Sequence, residues 1–187
     1  MTGIPTLHTA RLTLRPWREG DAEALHRILG EPGVLRYFPR PEPPPMDKVR
    51  EMVKGYPIEA MLPYIFEKDR MTASFLIGIA KKESNWGKRI PVLDGQDCFN
   101  YWGYRGVRRM MGSGGHTCFN SRKDAVDTVA VRLDKLINSE KLNTPEKLVV
   151  WKCGYSCAGH SRESVRKWIS DVDMYFSLAN DEGNEEE

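Results

Sequence analysis

The chain has 187 residues, 40% hydrophobic and 29% charged, a globular composition that excludes wholesale disorder and fits one domain, or one domain with an appendage. The 28 basic and 26 acidic side chains leave a formal charge of +2, too balanced to argue for nucleic acid as a partner. The longest apolar run, Phe75 to Ala80, is far too short to span a membrane.

Met1 to Leu14 has no long apolar stretch and carries Arg11 early, so no secretory leader is expected. Arg11-Leu-Thr-Leu-Arg15 alternates polar and apolar and predicts a short strand, ended by Pro16 and Trp17. Asp21 can cap a helix with Ala22, Leu25, Ile28 and Leu29 on its apolar side, closed by Pro32 and Gly33. Pro39 to Pro45 is too proline-dense for a helix or a sheet interior and reads as an extended linker. Its Pro41-x-x-Pro44 spacing also suits a proline-recognising module. One strand, one helix and a linker leave that strand without a partner.

Asp47 to Lys54 predicts a short amphipathic helix with Val49, Met52 and Val53 on one side. Pro63 opens a helix-like stretch, and Met71 to Lys82 is strongly helical. Phe75 and Ile79 lie four apart, and Glu83 falls one turn further on the same face. From Asn85 to Thr117 the glycines, asparagines and aromatics predict a loop with a short hairpin. Ser121 and Asp124 resemble a capping box before a face of Ala125, Val126, Val129, Leu133, Leu136 and Ile137. Thr144-Pro145-Glu146 opens another helix, to about Lys152. The last helix, Ser161 to Leu178, buries Val165, Trp168, Ile169, Val172, Tyr175 and Phe176, and an acidic tail follows.

The expected fold class is mainly α, with helices around a long polar cleft loop, preceded by a short incomplete α/β segment. The expected organisation is an N-terminal piece over 1–53, a helical domain over 54–178 and a tail over 179–187.

The informative stretch is Lys82-Glu83-Ser84-Asn85-Trp86-Gly87-Lys88. A carboxylate here ends an apolar helix and faces a loop rich in aromatic and hydrogen-bonding groups. A partly buried carboxyl keeps its proton more readily than an exposed one, and can act as a general acid beside a sugar-binding cleft. Trp86, Tyr101, Trp102 and Tyr104 offer flat faces for sugar rings, and Asn85, Gln96 and Asn100 can read hydroxyl and acetamido groups. An exposed helix-end glutamate is the structural alternative.

Glu83-Ser84-x-Trp86-Gly87-Lys88 followed by Asn100-x-x-Gly103-x-x-Gly106 resembles the glucosaminidase (Bax-like) branch of the lysozyme superfamily, over roughly 57–178. The Glu-Ser pair is shared with lytic transglycosylases. The resemblance implies a lysozyme-like fold that cleaves peptidoglycan strands without a cofactor. Glu83 would be the catalytic acid, Ser84 its orienting neighbour, and Asn100 and Tyr101 the cleft loop. A hydrolase would need a second carboxylate, for which Asp94 and Asp97 are the candidates in sequence; a transglycosylase would not. A non-catalytic glycan-binding module of the same fold stays open.

Cys98, Cys118, Cys153 and Cys157 suggest disulfides, and with the implied substrate an extracytoplasmic or cell-wall location. Zinc binding by these thiolates, with His116 or His160, is the alternative, though paired Cys-x-x-Cys spacing is absent.

The N-terminal segment has a different likeness. Thr9 to Trp17, then Asp21-Ala-Glu-Ala-Leu25, then Pro39-Arg-Pro41 resemble the opening of a GNAT N-acetyltransferase of the ribosomal-protein-modifying type, over about 6–53. That family holds acetyl-CoA with an Arg/Gln-x-x-Gly-x-Gly/Ala loop at a helix N-terminus. Arg109-Met-Met-Gly112-Ser-Gly114 has those letters but lacks a preceding apolar strand and an immediate helix. The expectation is two unrelated pieces, with the N-terminal one inactive and poorly ordered or loosely docked. Acetyl-CoA-dependent N-acetyl transfer is the third functional class.

Overall fold

The computed structural model describes residues 6–9, 11–15 and 46–180. The chain divides into two compact units, Met1–Arg40 and Pro41–Glu187. The helix expected after Asp21 and the Pro41-x-x-Pro44 segment lie outside the described residues.

In the first unit, β1 (Leu7–His8) pairs antiparallel with β2 (Thr13–Leu14). The strand expected at Arg11–Arg15 therefore has a partner, contrary to expectation. Thr9 supplies the reason: its Oγ1 accepts from the Leu12 N–H at 3.0 Å, and its backbone N–H donates to the Leu12 carbonyl at 2.8 Å. The local turn folds Leu7–His8 back onto Thr13–Leu14, which the alternation pattern alone does not reveal.

The second unit is built from helices α1 (Met46–Val53), α2 (Leu62–Ile65), α3 (Arg70–Ser84), α4 (Arg122–Asp134), α5 (Val150–Cys153) and α6 (Arg162–Asn180), with one hairpin, β3 (Val92–Leu93) and β4 (Gln96–Asp97). α1 belongs to this unit, since Val49 and Val53 are fully buried in its core. The boundary expected after residue 53 thus does not follow the packing.

α3 is the central helix. Asp69 caps it, accepting from the Thr72 N–H at 3.0 Å. Every residue from Thr72 to Ala80 is buried, so this helix is enclosed on all sides. Its closest neighbour is α6. A Cβ added at Gly78 would lie 2.8 Å from the Val172 carbonyl oxygen. Only a residue without a side chain allows the two backbones to come so close. Phe75 packs on Phe176 with ring centroids 4.3 Å apart. Each large apolar side chain buried here contributes about 1.5–3 kcal/mol relative to exposure.

α4 starts at Ser121, whose Oγ accepts from the Asp124 N–H at 3.1 Å. Its apolar residues Ala125, Val126, Val129 and Leu133 are buried, and Leu136 and Ile137 continue that side through the wider turn Lys135–Ser139. The helix expected from Thr144 is shorter: a 3-10 turn over Lys147–Val149 leads into α5. Two disulfides, Cys98–Cys118 and Cys153–Cys157, use all four cysteines. They displace the zinc alternative, and no group of three metal-binding side chains occurs among the described residues. No described helix is long and apolar enough to cross a membrane.

Candidate functional site

Glu83 occupies the last turn of α3, where the chain stops abruptly. Asn85 takes the left-handed conformation at φ 51°, and its N–H returns to the Ala80 and Lys81 carbonyls. Ser84, expected to orient Glu83, closes the helix instead. Its hydroxyl donates to the Ala80 carbonyl at 2.9 Å and accepts from the Gly87 N–H at 2.9 Å. The group that holds Glu83 is Trp168 on α6, whose indole N–H donates to Oε1 at 2.7 Å. The other oxygen, Oε2, faces Gly103, where an added Cβ would stand 3.2 Å away.

Glu83 and Gly103 line a cleft of about 390 Å³ together with Tyr104, Arg105, Arg132 and Lys152. A second cleft of about 550 Å³ also reaches Glu83, Gly103 and Arg105, and adds Arg89. Four cations thus line the two clefts that share Glu83, so the clefts favour anionic ligands. The first also has an aromatic wall, with the Tyr104 and Trp151 rings 6.2 Å apart.

The other expected site residues are placed differently. Trp86 is 2% exposed, and its indole N–H donates to the Ile77 carbonyl. Trp102 is fully buried and donates to the Leu76 carbonyl. Tyr101 is 1% exposed and donates its hydroxyl to Asp97 at 2.8 Å. Burial, joined by the Asp97 carboxylate, pushes the Tyr101 phenol above its ordinary range. These three rings are core, with no face free for a sugar.

Asn100 borders the second cleft, but its amide group spans Tyr104 and Thr117. Asn85 is the helix cap. Asp97 accepts from the Phe99 N–H and from Tyr101, so both its oxygens are used. Asp94 sits exposed in the hairpin turn at φ 50°. Of the expected set, Glu83, Tyr104 and the buried Trp102 line the first cleft. Trp168, Arg105, Arg132 and Lys152 were not singled out as site residues. Only Trp168 gave a signal, because a buried indole N–H requires an acceptor.

A family model described as an acetyltransferase (GNAT) domain matches residues 11–105, just over half of the chain. The chain belongs to the GNAT acetyltransferase family. No curated protein and no solved structure matches it. As a GNAT acetyltransferase the protein is an enzyme of acetyl transfer, which overturns the reading as a glycosidase, hydrolase or lytic transglycosylase of peptidoglycan. The buried rings of Trp86, Tyr101 and Trp102 supply the physical reason that the sugar platform fails. The GNAT likeness of the first fifty residues runs on to Arg105, through Glu83 and into the cleft.

Acetyl-CoA, the cofactor this family implies, is a polyanion carrying a long arm and a thioester. The cations Arg105, Arg132 and Lys152 beside an apolar and aromatic wall suit that chemistry. Arg109–Gly114 does not supply the family's phosphate loop. The Gly112 N–H is spent on the His116 carbonyl at 2.8 Å, and α4 begins only at Arg122. The match also ends before this stretch.

Proposed function

We propose that the chain transfers the acetyl group of acetyl-CoA to an amine, with Glu83 as the general base. The observation that carries this reading is Glu83 itself. It is a carboxylate held through one oxygen by Trp168, its other oxygen facing a glycine, within a cleft lined by cations.

Acetyl-CoA supplies an activated acetyl thioester when bound. Arg105, Arg132 and Lys152 would hold its phosphates, and Tyr104 and Trp151 would line its arm. An amine reaches the cleft as an ammonium at neutral pH and is not nucleophilic until it loses a proton. Glu83 Oε2 is the acceptor for that proton, directly or through one water. The negative charge of Glu83 also attracts the ammonium before the transfer.

Release of free thiol from acetyl-CoA, measured with small polyamines and amine-terminated peptides as acceptors, tests this reading. We expect turnover by the wild type and a loss of about 10²–10⁴-fold in Glu83→Gln, the range typical of a positioned acid or base. Equal turnover by both proteins would refute the assignment of Glu83, and no turnover by the wild type would refute the activity.

A further inference from the structure

We propose that Trp168 is a positioning residue for this reaction, holding Glu83 by one carboxylate oxygen so that the other meets the acceptor amine. The inference rests on Glu83 acting as the base.

Trp168 is 1% exposed, and its single polar atom makes the 2.7 Å bond to Glu83 Oε1. An indole N–H donates and cannot accept, so Trp168 takes no part in moving the proton. What it fixes is direction. A glutamate side chain has three rotatable bonds, and without a partner it samples several staggered arrangements. A hydrogen bond to an ionised acceptor is stronger than a neutral one and selects one of them.

The two helices that carry the pair are locked together. Gly78 lets α3 and α6 approach until an added Cβ would touch the Val172 carbonyl, and Lys82 bonds Asp171 at 2.6 Å one residue before Glu83. The Glu83–Trp168 bond therefore has a rigid frame on both sides. Gly103 completes the arrangement, because it sets no side chain against Oε2, where a Cβ would stand 3.2 Å away. One oxygen is tied down while the other is left open, as a proton acceptor of fixed aim requires.

The test replaces Trp168 by 3-benzothienylalanine, in which sulfur takes the place of the indole N–H while the ring volume is kept. Trp168→Phe serves as the encoded counterpart. Both changes are made in the wild type and in Glu83→Ala, with kcat and KM read for acetyl transfer. In the wild-type background we expect kcat to fall at least tenfold, with KM for acetyl-CoA within twofold. In the Glu83→Ala background the residual rate should not fall further, since the partner is already gone.

An equal loss in both backgrounds, or a rise in KM with kcat unchanged, would show the indole to be packing alone and overturn the proposal. Absence of wild-type turnover would overturn the acetyl-transfer reading and this inference with it. Turnover that is insensitive to the N–H would overturn only this one.

Discussion

At the scale of single residues the site depends on which oxygen of Glu83 stays open. Gly103 has φ +67°, a conformation that side chains disfavour, and an added Cβ would come 3.2 Å from Oε2. Gly103→Ala should therefore act twice, by straining the loop and by covering the oxygen assigned to the acceptor. We expect kcat/KM for the amine to fall at least tenfold while acetyl-CoA binding changes little, as read by steady-state kinetics beside calorimetric titration. A loss confined to acetyl-CoA affinity would place Gly103 on the donor side instead. The helix-end position of Glu83 was legible because Phe75 and Ile79 set the register of α3. The burial of Trp86, Tyr101 and Trp102 was not legible, because composition does not distinguish a ring facing a cleft from one whose polar atom is already bonded inside the core. Trp86 and Trp102 both do the latter, to consecutive carbonyls of α3.

At the scale of elements the site depends on α3 and α6 packing backbone to backbone. Gly78→Ala should push them apart and cost about 1–3 kcal/mol, the usual range for overpacking a tight contact. Chemical denaturation would show this as a lower midpoint with an unchanged slope. A neutral or stabilising effect would mean that the helices yield at no cost. Two helix ends were readable from the sequence: Ser121 starts α4 as its N-cap, and Asn85 opens the loop that ends α3. The pairing of β1 with β2 was not, because it depends on a turn closed by Thr9 rather than on any apolar pattern. The contact that carries Trp168 to Glu83 joins residues 85 apart in sequence, and no local periodicity encodes it.

At the scale of the whole molecule the second unit is tied together by buried apolar contacts, two disulfides and ion pairs between helices. Hydrogen bonds from Arg108 hold the Asp124 carboxyl below its ordinary value, and those from Lys123 and Lys68 do the same for Asp127. At Asp171 burial opposes ionisation, yet Lys82 and Lys167 outweigh it and the carboxyl again titrates low. A carboxylate with a depressed folded-state pKa adds stability that is fully present above its unfolded value. That stability is lost as pH falls through the folded value. Unfolding midpoints should thus be flat above about pH 5 and fall below about pH 4, where unfolded aspartates take up protons. Asp171→Asn should flatten that decline, as followed by circular dichroism across the acid range. A decline unchanged by this substitution would assign it to other groups.

Membership in the GNAT family was legible in the first fifty residues. Its extension through Glu83 to Arg105 was not, because the short motif around Glu83 pulled the reading toward another chemistry. The cations of the cleft come from three separate segments, at Arg105, Arg132 and Lys152. Only the folded chain brings them into one cleft with Glu83.

The central claim is that acetyl-CoA binds in the cleft bounded by Glu83. Amide hydrogen exchange of the full chain with and without acetyl-CoA tests it most directly. Slower exchange should appear at residues 102–105, 132–136 and 150–152 when the ligand is added, and should disappear in Arg105→Ala with Arg132→Ala. Protection confined to other residues, or none at saturating ligand, would contradict it.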